Sequence, residues 1–235
     1  MENLDFVMVP LGLFVMGSYH AWLLYNIRRN PSRTVIGINA EIRHQWVFSM
    51  MADPVKNGVL VIQTIRNNIM ASTLLATTAI TLSSLISVVV SNTASFGYRT
   101  TLDQNNLFSD LTSIKYFSIL LCFLVAFLCN VQSTRYYAHV SFLGTLPAWK
   151  GKTDSIEYVA TCLSRATYFW SLGLRAFYFS FPLFLWLFGA IPMFLCSCLM
   201  ACLLYFLDTT TAFTRNLHTQ SFREEGRSCN DLESS

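Results

Sequence analysis

The sequence predicts an all-α protein, a multi-pass transmembrane helical bundle, from its low charge and from the length of its apolar runs. Of 235 residues, 53% are hydrophobic and only 12% are charged, about half the charged fraction of an ordinary soluble domain. The apolar residues are gathered into long runs, and a helix of about 20 residues crosses a ~30 Å hydrocarbon core. Backbone polar groups in lipid need partners within their own segment, so we expect these runs to be helices.

The chain is predicted to form a single membrane domain over residues 1–213 with five spans. They are expected at about residues 6–25, 69–90, 114–131, 166–188 and 192–213. The acidic start MENLD lacks the basic region of a cleaved signal peptide, so the first span should stay attached. Residues 214–235 are polar and are predicted to be a disordered cytosolic tail.

The number of spans depends on the last apolar block, from Ala166 to about Leu207. This block is too long for one span and barely long enough for two. Gly189 and Pro192 lie close together inside it, which indicates a tight turn between two helices. The alternative is a four-span protein in which the block enters as a kinked re-entrant segment, since it also contains Pro182.

The distribution of basic residues favours five spans and sets the orientation. With an outside N-terminus, thirteen Lys and Arg residues fall on inner segments, two fall outside, and Arg175 lies within a span. With four spans the split is ten against five. The positive-inside rule therefore predicts an outside or lumenal N-terminus and a cytosolic C-terminus, in the plasma membrane or an endomembrane.

An amphipathic helix is predicted between the first two spans, on the inner face of the membrane. Its apolar positions recur three and four residues apart, at Val35, Ile38, Ile42 and Trp46. Because this spacing forms one helical face, we expect these four side chains to face lipid or the bundle.

Two long stretches resemble a known membrane family of plants and bacteria. They are NGVLVIQTIRNNIMASTLLATTAIT, from Asn57 to Thr81, and LRAFYFSFPLFLWLFGAIPMF with the following YFLDTT. The resemblance covers about Asp5 to Phe213, and the family is catalogued as domain of unknown function 599. It implies a multi-pass membrane protein in a plant cell, with no established activity and no catalytic residues to carry over.

Arg175 and Asp208 form a candidate intramembrane charge pair. An arginine about ten residues into a span is costly unless it finds a partner or reaches the headgroups. Measured from a turn at Ala190, the two residues differ in depth by about 4.5 Å at the ~1.5 Å helical rise. They are expected to meet across the hairpin, either as a structural lock or as part of a gate or a site for a charged substrate.

The second span carries a candidate polar stripe, because four hydroxyl residues share one helical face: Thr73, Thr77, Thr81 and Ser84. Such a stripe lines a polar pathway or forms a packing seam between helices.

A third candidate site lies at the inner rim, where the second span enters the membrane near the inner end of the third. Its residues are Arg66, Asn67, Asn68 and Arg135. They are expected to contact a lipid phosphate or to anchor the helices at the interface.

Several functional classes lack support in the sequence. The formal charge of +3 is spread among loops, so no nucleic-acid partner is expected. Cys196, Cys198 and Cys202 have no nearby histidine or carboxylate, so they are interpreted as packing residues rather than metal ligands. No catalytic motif or dinucleotide fingerprint is present, so neither an enzyme nor a cofactor is expected.

Two hypotheses of function follow. The first is a non-enzymatic scaffold, subunit or regulator that acts through protein or lipid contacts, with the bilayer and a membrane protein or a second copy as partners. The alternative is a small oligomeric channel or transporter for an ion or small solute. The two hypotheses differ in whether the hydroxyl stripe and Arg175 line a water-filled cavity or a closely packed interface between helices.

Overall fold

Six long helices account for nearly all of the chain that can be described. The computed structural model describes residues 2–100, 106–145 and 152–210. The helices are α1 (Glu2–Arg29), α2 (Val35–Ala52), α3 (Pro54–Thr100), α4 (Asn106–Leu143), α5 (Lys152–Leu185) and α6 (Ala190–Asp208), with a 3-10 turn at Pro31–Arg33. The predicted all-α membrane bundle is confirmed. The predicted tail, residues 214–235, lies outside the described residues.

The helices pack lengthwise into a bundle with two distinct ends. At the end where α5 turns into α6, which we call the hairpin end, one core cluster joins α1, α4, α5 and α6, through Val9, Ile119, Phe123, Leu183, Trp186, Ala190 and Met193. At the opposite end, the α2 end, a second core joins α2 to α3, α4 and α5, through residues that include Val47, Met51, Ile65, Tyr137, Val140 and Ile156. We call the helical segments around this second core the platform.

Five helices run between the two ends. Among the described residues, four are long and apolar enough to span a membrane: Asp5–Arg29, Pro54–Asn92, Thr112–Leu143 and Ala190–Asp208. Helix α5 runs through the same layers, because it contributes Ile156 to the platform core and Leu183 to the core at the hairpin end. Helices α5 and α6 are two separate continuous helices, but α5 is not among the four, so the choice between five spans and the four-span alternative stays a prediction.

A tight turn separates α5 from α6 at the predicted place. Pro182 lies inside α5 without ending it, and the turn that follows is closed by a hydrogen bond from the Trp186 N–H to the Pro182 carbonyl, 3.0 Å. Gly189 caps α6 with a φ of 148°, a conformation that side chains with a Cβ rarely adopt. Glycine at this position therefore allows the chain to reverse within a few residues.

The helices differ in length from the predicted spans. Helix α3 has 47 residues, or ~70 Å at the helical rise, so it continues well past a ~30 Å hydrocarbon core into the platform. Helix α6 is shorter than predicted: it ends at Asp208 instead of 213. The reason is a tertiary contact, since Thr209 leaves the helix to form an isolated antiparallel bridge with Thr34.

The predicted inner helix exists as α2. Thr34 caps it by accepting a hydrogen bond from the Gly37 N–H at 3.2 Å. In the predicted stripe, Ile38 is buried, Val35 and Trp46 are half-buried, and Ile42 is 47% exposed. Ile42 and Trp46 line a cavity whose other walls are side chains of α3, α4 and α5, so these two residues face the bundle. Val47, which the stripe did not include, is buried as well.

Helices α4 and α5 approach each other closely in the middle of the bundle. A Cβ added at Gly173 would lie 2.5 Å from the Asn130 Nδ2. Asn130 is fully buried and its amide donates to the Ala126 carbonyl at 2.8 Å, so it has little freedom to move. Nearby, the Ser133 hydroxyl donates to the Ala166 carbonyl of α5 at 2.8 Å.

Candidate functional site

The structure brings Arg175 and Asp208 together across the α5–α6 hairpin. The Arg175 Nη2 lies 2.8 Å from the Asp208 Oδ2, and the two side chains are only 15% and 13% exposed. A charged pair at hydrogen-bond distance and with this degree of burial interacts strongly, because little water screens it.

A third residue completes this cluster and comes from α1. The Tyr19 hydroxyl donates a hydrogen bond to the same Asp208 Oδ2, and Tyr19 is buried in a core cluster with Met16, Leu23 and Leu204. Its role was missed at the sequence level, because only the parallel packing of α1 on α6 brings a residue so distant in the chain next to Asp208. The cluster therefore ties three spans together.

A cavity of about 190 Å³ lies beside this cluster, between α2, α5 and α6. The lining residues with polar side-chain groups are Asn39, Arg43, Thr167, Trp170, Ser171, Arg175, Tyr178 and Asp208. The sequence pattern gave no reason to single out Arg43 or Trp170, since Arg43 stands among other polar residues, Trp170 stands in an apolar run, and the partner faces of both helices were unknown.

A second cavity, of about 360 Å³, adjoins the first and shares Arg43, Thr167 and Trp170 with it. Most of its other lining residues are apolar or aromatic, and they include Ile42, Trp46, Ile65, Tyr137 and Leu163. The two cavities are therefore neighbours, one charged and next to Asp208, the other mostly apolar and under α2.

Arg43 lies at the junction of the two cavities without a counter-charge. Among the described residues, the ion pairs join other side chains. Its Nε is buried and has no hydrogen-bond partner. Burial lowers the pKa of Arg43 below its ordinary value, because desolvation disfavours the charged form.

Two more donors that line the first cavity are also unsatisfied. The Trp170 Nε1 and the Arg175 Nη1 are buried and have no hydrogen-bond partner in the described part of the chain. Each such group costs roughly 1–3 kcal/mol, and native proteins leave few of them without a partner. Three unsatisfied N–H donors around one cavity indicate a site that receives hydrogen-bond acceptors.

The predicted hydroxyl stripe is not part of this site. Its four residues, Thr73, Thr77, Thr81 and Ser84, are exposed on the outer surface of α3. The last three donate to carbonyls of their own helix at 2.8, 2.8 and 2.9 Å. Within this chain the stripe lines neither a cavity nor a helix seam; the inward side of α3 carries Ser72, Ala76 and Ala79 instead.

The predicted inner-rim residues are divided between two places. Asn68 lines the second cavity. Arg66, Asn67 and Arg135 are exposed on α3 and α4, so the structure does not gather the four into one pocket.

The described residues hold no group of three or more His, Cys, Asp or Glu side chains arranged to bind a metal ion. The six cysteines in the described part of the chain are free. The chemistry of the site therefore rests on guanidinium, indole, hydroxyl and carboxylate groups.

Comparison with known families gives one match. A family model described as "Protein of unknown function, DUF599" matches residues 7–213. The chain belongs to the DUF599 family. No curated protein and no solved structure matches it. The match covers all six helices except the first residues of α1, so Tyr19, Arg43, Trp170, Arg175 and Asp208 of this DUF599 chain all lie within the family region.

Proposed function

We propose that this DUF599 chain is a non-enzymatic integral membrane protein, a scaffold, subunit or regulator that acts through contacts with lipid and with partner proteins. We place its N-terminus outside or in a lumen and its α2 end and C-terminus at the cytosol, in the plasma membrane or an endomembrane of a plant cell. The basic residues at the α2 end favour this orientation, since Arg28 and Arg29 end α1 and Arg33 follows them.

The observation that carries the proposal is the platform. Its core is built by α2 and by segments of α3, α4 and α5, with Val140, Ala160 and Ala166 at most 1% exposed. A packed unit of this kind at one end of the spans offers a surface for contacts at the membrane boundary. It also holds the cavity with unsatisfied donors against the bundle.

A channel or transporter is the second candidate, and the hydroxyl stripe of α3 favours it. The stripe faces outward, so it can line a polar path only between copies of the chain. The interior of one protomer offers little support for conduction, because Arg175 is paired with Asp208 and the neighbouring layers are packed.

Reconstitution separates the two candidates. The protein is purified in detergent, its oligomeric mass is measured, and fluxes of H⁺, K⁺ and Cl⁻ are recorded through liposomes that contain it. We expect rates equal to those of empty liposomes. The matched variant is Thr77→Val with Thr81→Val, which keeps the side-chain shape and removes hydroxyls bonded only to their own helix.

Flux through the wild-type protein that this variant abolishes would establish the channel and overturn our proposal. Flux that the variant leaves intact would overturn the proposal as well, and would locate the path away from the stripe.

A further inference from the structure

Three donors around the first cavity have no hydrogen-bond partner in the described part of the chain. Arg43, Trp170 and Arg175 each line this cavity and each have a buried N–H without a partner. The Oδ2 of Asp208 is already engaged by Arg175 and Tyr19. A ligand that brings acceptor atoms, as a phosphate or a carboxylate does, would satisfy these donors.

The charges at the cavity point to the same ligand chemistry. Two guanidinium groups face one carboxylate, those of Arg43, Arg175 and Asp208, so the lining has one uncompensated positive charge. A buried cation without a partner is unfavourable, and a monoanion would neutralise it.

The position of the cavity indicates where the anion comes from. Asp208 is the last residue of α6, and the arginines that end α1 lie at the same end of the bundle. Helix α6 has 19 residues, about 28 Å at the helical rise, which matches a ~30 Å hydrocarbon core. The cavity therefore lies at the level of the lipid headgroups.

We propose that this site binds the anionic headgroup of a membrane lipid, with Arg43, Trp170 and Arg175 donating hydrogen bonds to its acidic group. This inference rests on the proposed function, because both require that the protein contacts lipid. It adds the class of lipid, an anionic one. Binding gives Arg43 the counter-charge that the described chain does not provide.

Lipid binding is measured on the full chain in detergent, by native mass spectrometry and by the thermal midpoint. The probes are phosphatidylglycerol, phosphatidylcholine with the same acyl chains, and inorganic phosphate. We expect phosphatidylglycerol to be retained and to raise the midpoint in a concentration-dependent way, because it binds the folded state only. The other two probes should leave the midpoint unchanged.

The decisive variant is Arg43→Met, which keeps an unbranched chain and removes the unpaired charge. We expect its lipid-free midpoint to equal or exceed that of the wild type, and its affinity for phosphatidylglycerol to fall about tenfold, as losing one charge-assisted bond implies. Trp170→Phe removes one N–H, keeps most of the ring and should also weaken binding. The matched control is Arg165→Met on α5, where the arginine is exposed and outside both cavities; its affinity should equal that of the wild type.

Three results would overturn the inference. The first is equal stabilisation by phosphatidylcholine, and the second is equal stabilisation by inorganic phosphate, which would make the occupant a soluble anion. The third is an Arg43→Met variant with a lower lipid-free midpoint and full lipid affinity, which would make Arg43 a structural residue. Flux through liposomes would contradict the proposed function and leave these binding results standing, so the two failures are distinguishable.

Discussion

Removal of both members of the Arg175–Asp208 pair should cost far less stability than the sum of the losses from removing each one. The perturbations are Arg175→Leu, Asp208→Leu and the double substitution. Each single change leaves one charge in a place where the side chains are only 15% and 13% exposed. The double change leaves no charge, and only the Tyr19 hydroxyl loses its partner.

The expected magnitudes follow from this geometry. Removing one partner of a buried pair costs about 3–5 kcal/mol, and the position near the membrane boundary favours the lower value. The unpartnered Tyr19 hydroxyl and the altered packing of the double variant should cost about 3 kcal/mol. Additivity would predict about 6 kcal/mol for the double variant, so the coupling energy should be about 3 kcal/mol.

The assay is thermal unfolding in detergent at fixed lipid content, with all variants compared in one double-mutant cycle. For a chain of this length, a loss of about 3 kcal/mol lowers the midpoint by roughly 6–12 °C. Tyr19→Phe supplies a second cycle: it should destabilise the wild type and have little effect in the Asp208→Leu background, where its acceptor is already gone.

Additive losses in the first cycle would refute the reasoning. Such losses would mean that Arg175 and Asp208 do not interact in the folded protein, so the long arginine side chain would have to reach the headgroups instead. A Tyr19→Phe effect of the same size in both backgrounds would likewise remove the hydroxyl from the cluster.

Three further predictions concern the packing of the bundle and its orientation. Gly173→Ala should lower the free energy of unfolding by about 1–3 kcal/mol, because the added methyl overpacks the contact between α4 and α5. Gly58→Ala has nothing within 4 Å of the added Cβ and should stabilise α3 by up to about 1 kcal/mol. The thermal midpoint measures both effects. Val47→Glu should unfold the platform, since Val47 is 2% exposed and an unpaired carboxylate there is costly. Ser49→Glu, at an exposed position of α2, should stay within about 0.5 kcal/mol, and limited proteolysis that cuts both variants equally would contradict the assignment of the buried face. In a Ser234→Cys variant whose other tail cysteine is replaced, the new thiol should react with a membrane-impermeant reagent only after the cells are permeabilised. Labelling of this thiol in sealed cells would reverse the proposed orientation.

The Arg175–Asp208 contact could be anticipated from the sequence because it depends on one short turn. Two helices joined by a tight hairpin hold residues at equal distances from the turn at similar depth. The pairing therefore required only the position of Gly189 and the helical rise. Tyr19 and Arg43 could not be found in this way, since α1 and α2 reach the site through packing between elements far apart in the chain.

Periodicity identified faces correctly but could not say what they face. The hydroxyl residues of α3 do share one side of the helix, yet that side is the outer surface, because α4 packs on the opposite side through Ser72 and its neighbours. A helical pattern gives the angle between side chains, whereas the direction of each face depends on the neighbouring helices.

Local composition by itself determined that the chain is helical, crosses a membrane and turns at Gly189, because apolar length, backbone satisfaction in lipid and glycine conformation are properties of short segments. Only the tertiary structure decided which residues meet. It extended α3 into a platform, ended α6 at Asp208 through the bridge from Thr209, and placed Arg43 and Trp170 beside Arg175. These outcomes depend on contacts between residues far apart in the chain, and the energies of such contacts are set by packing rather than by the residues that adjoin them in sequence.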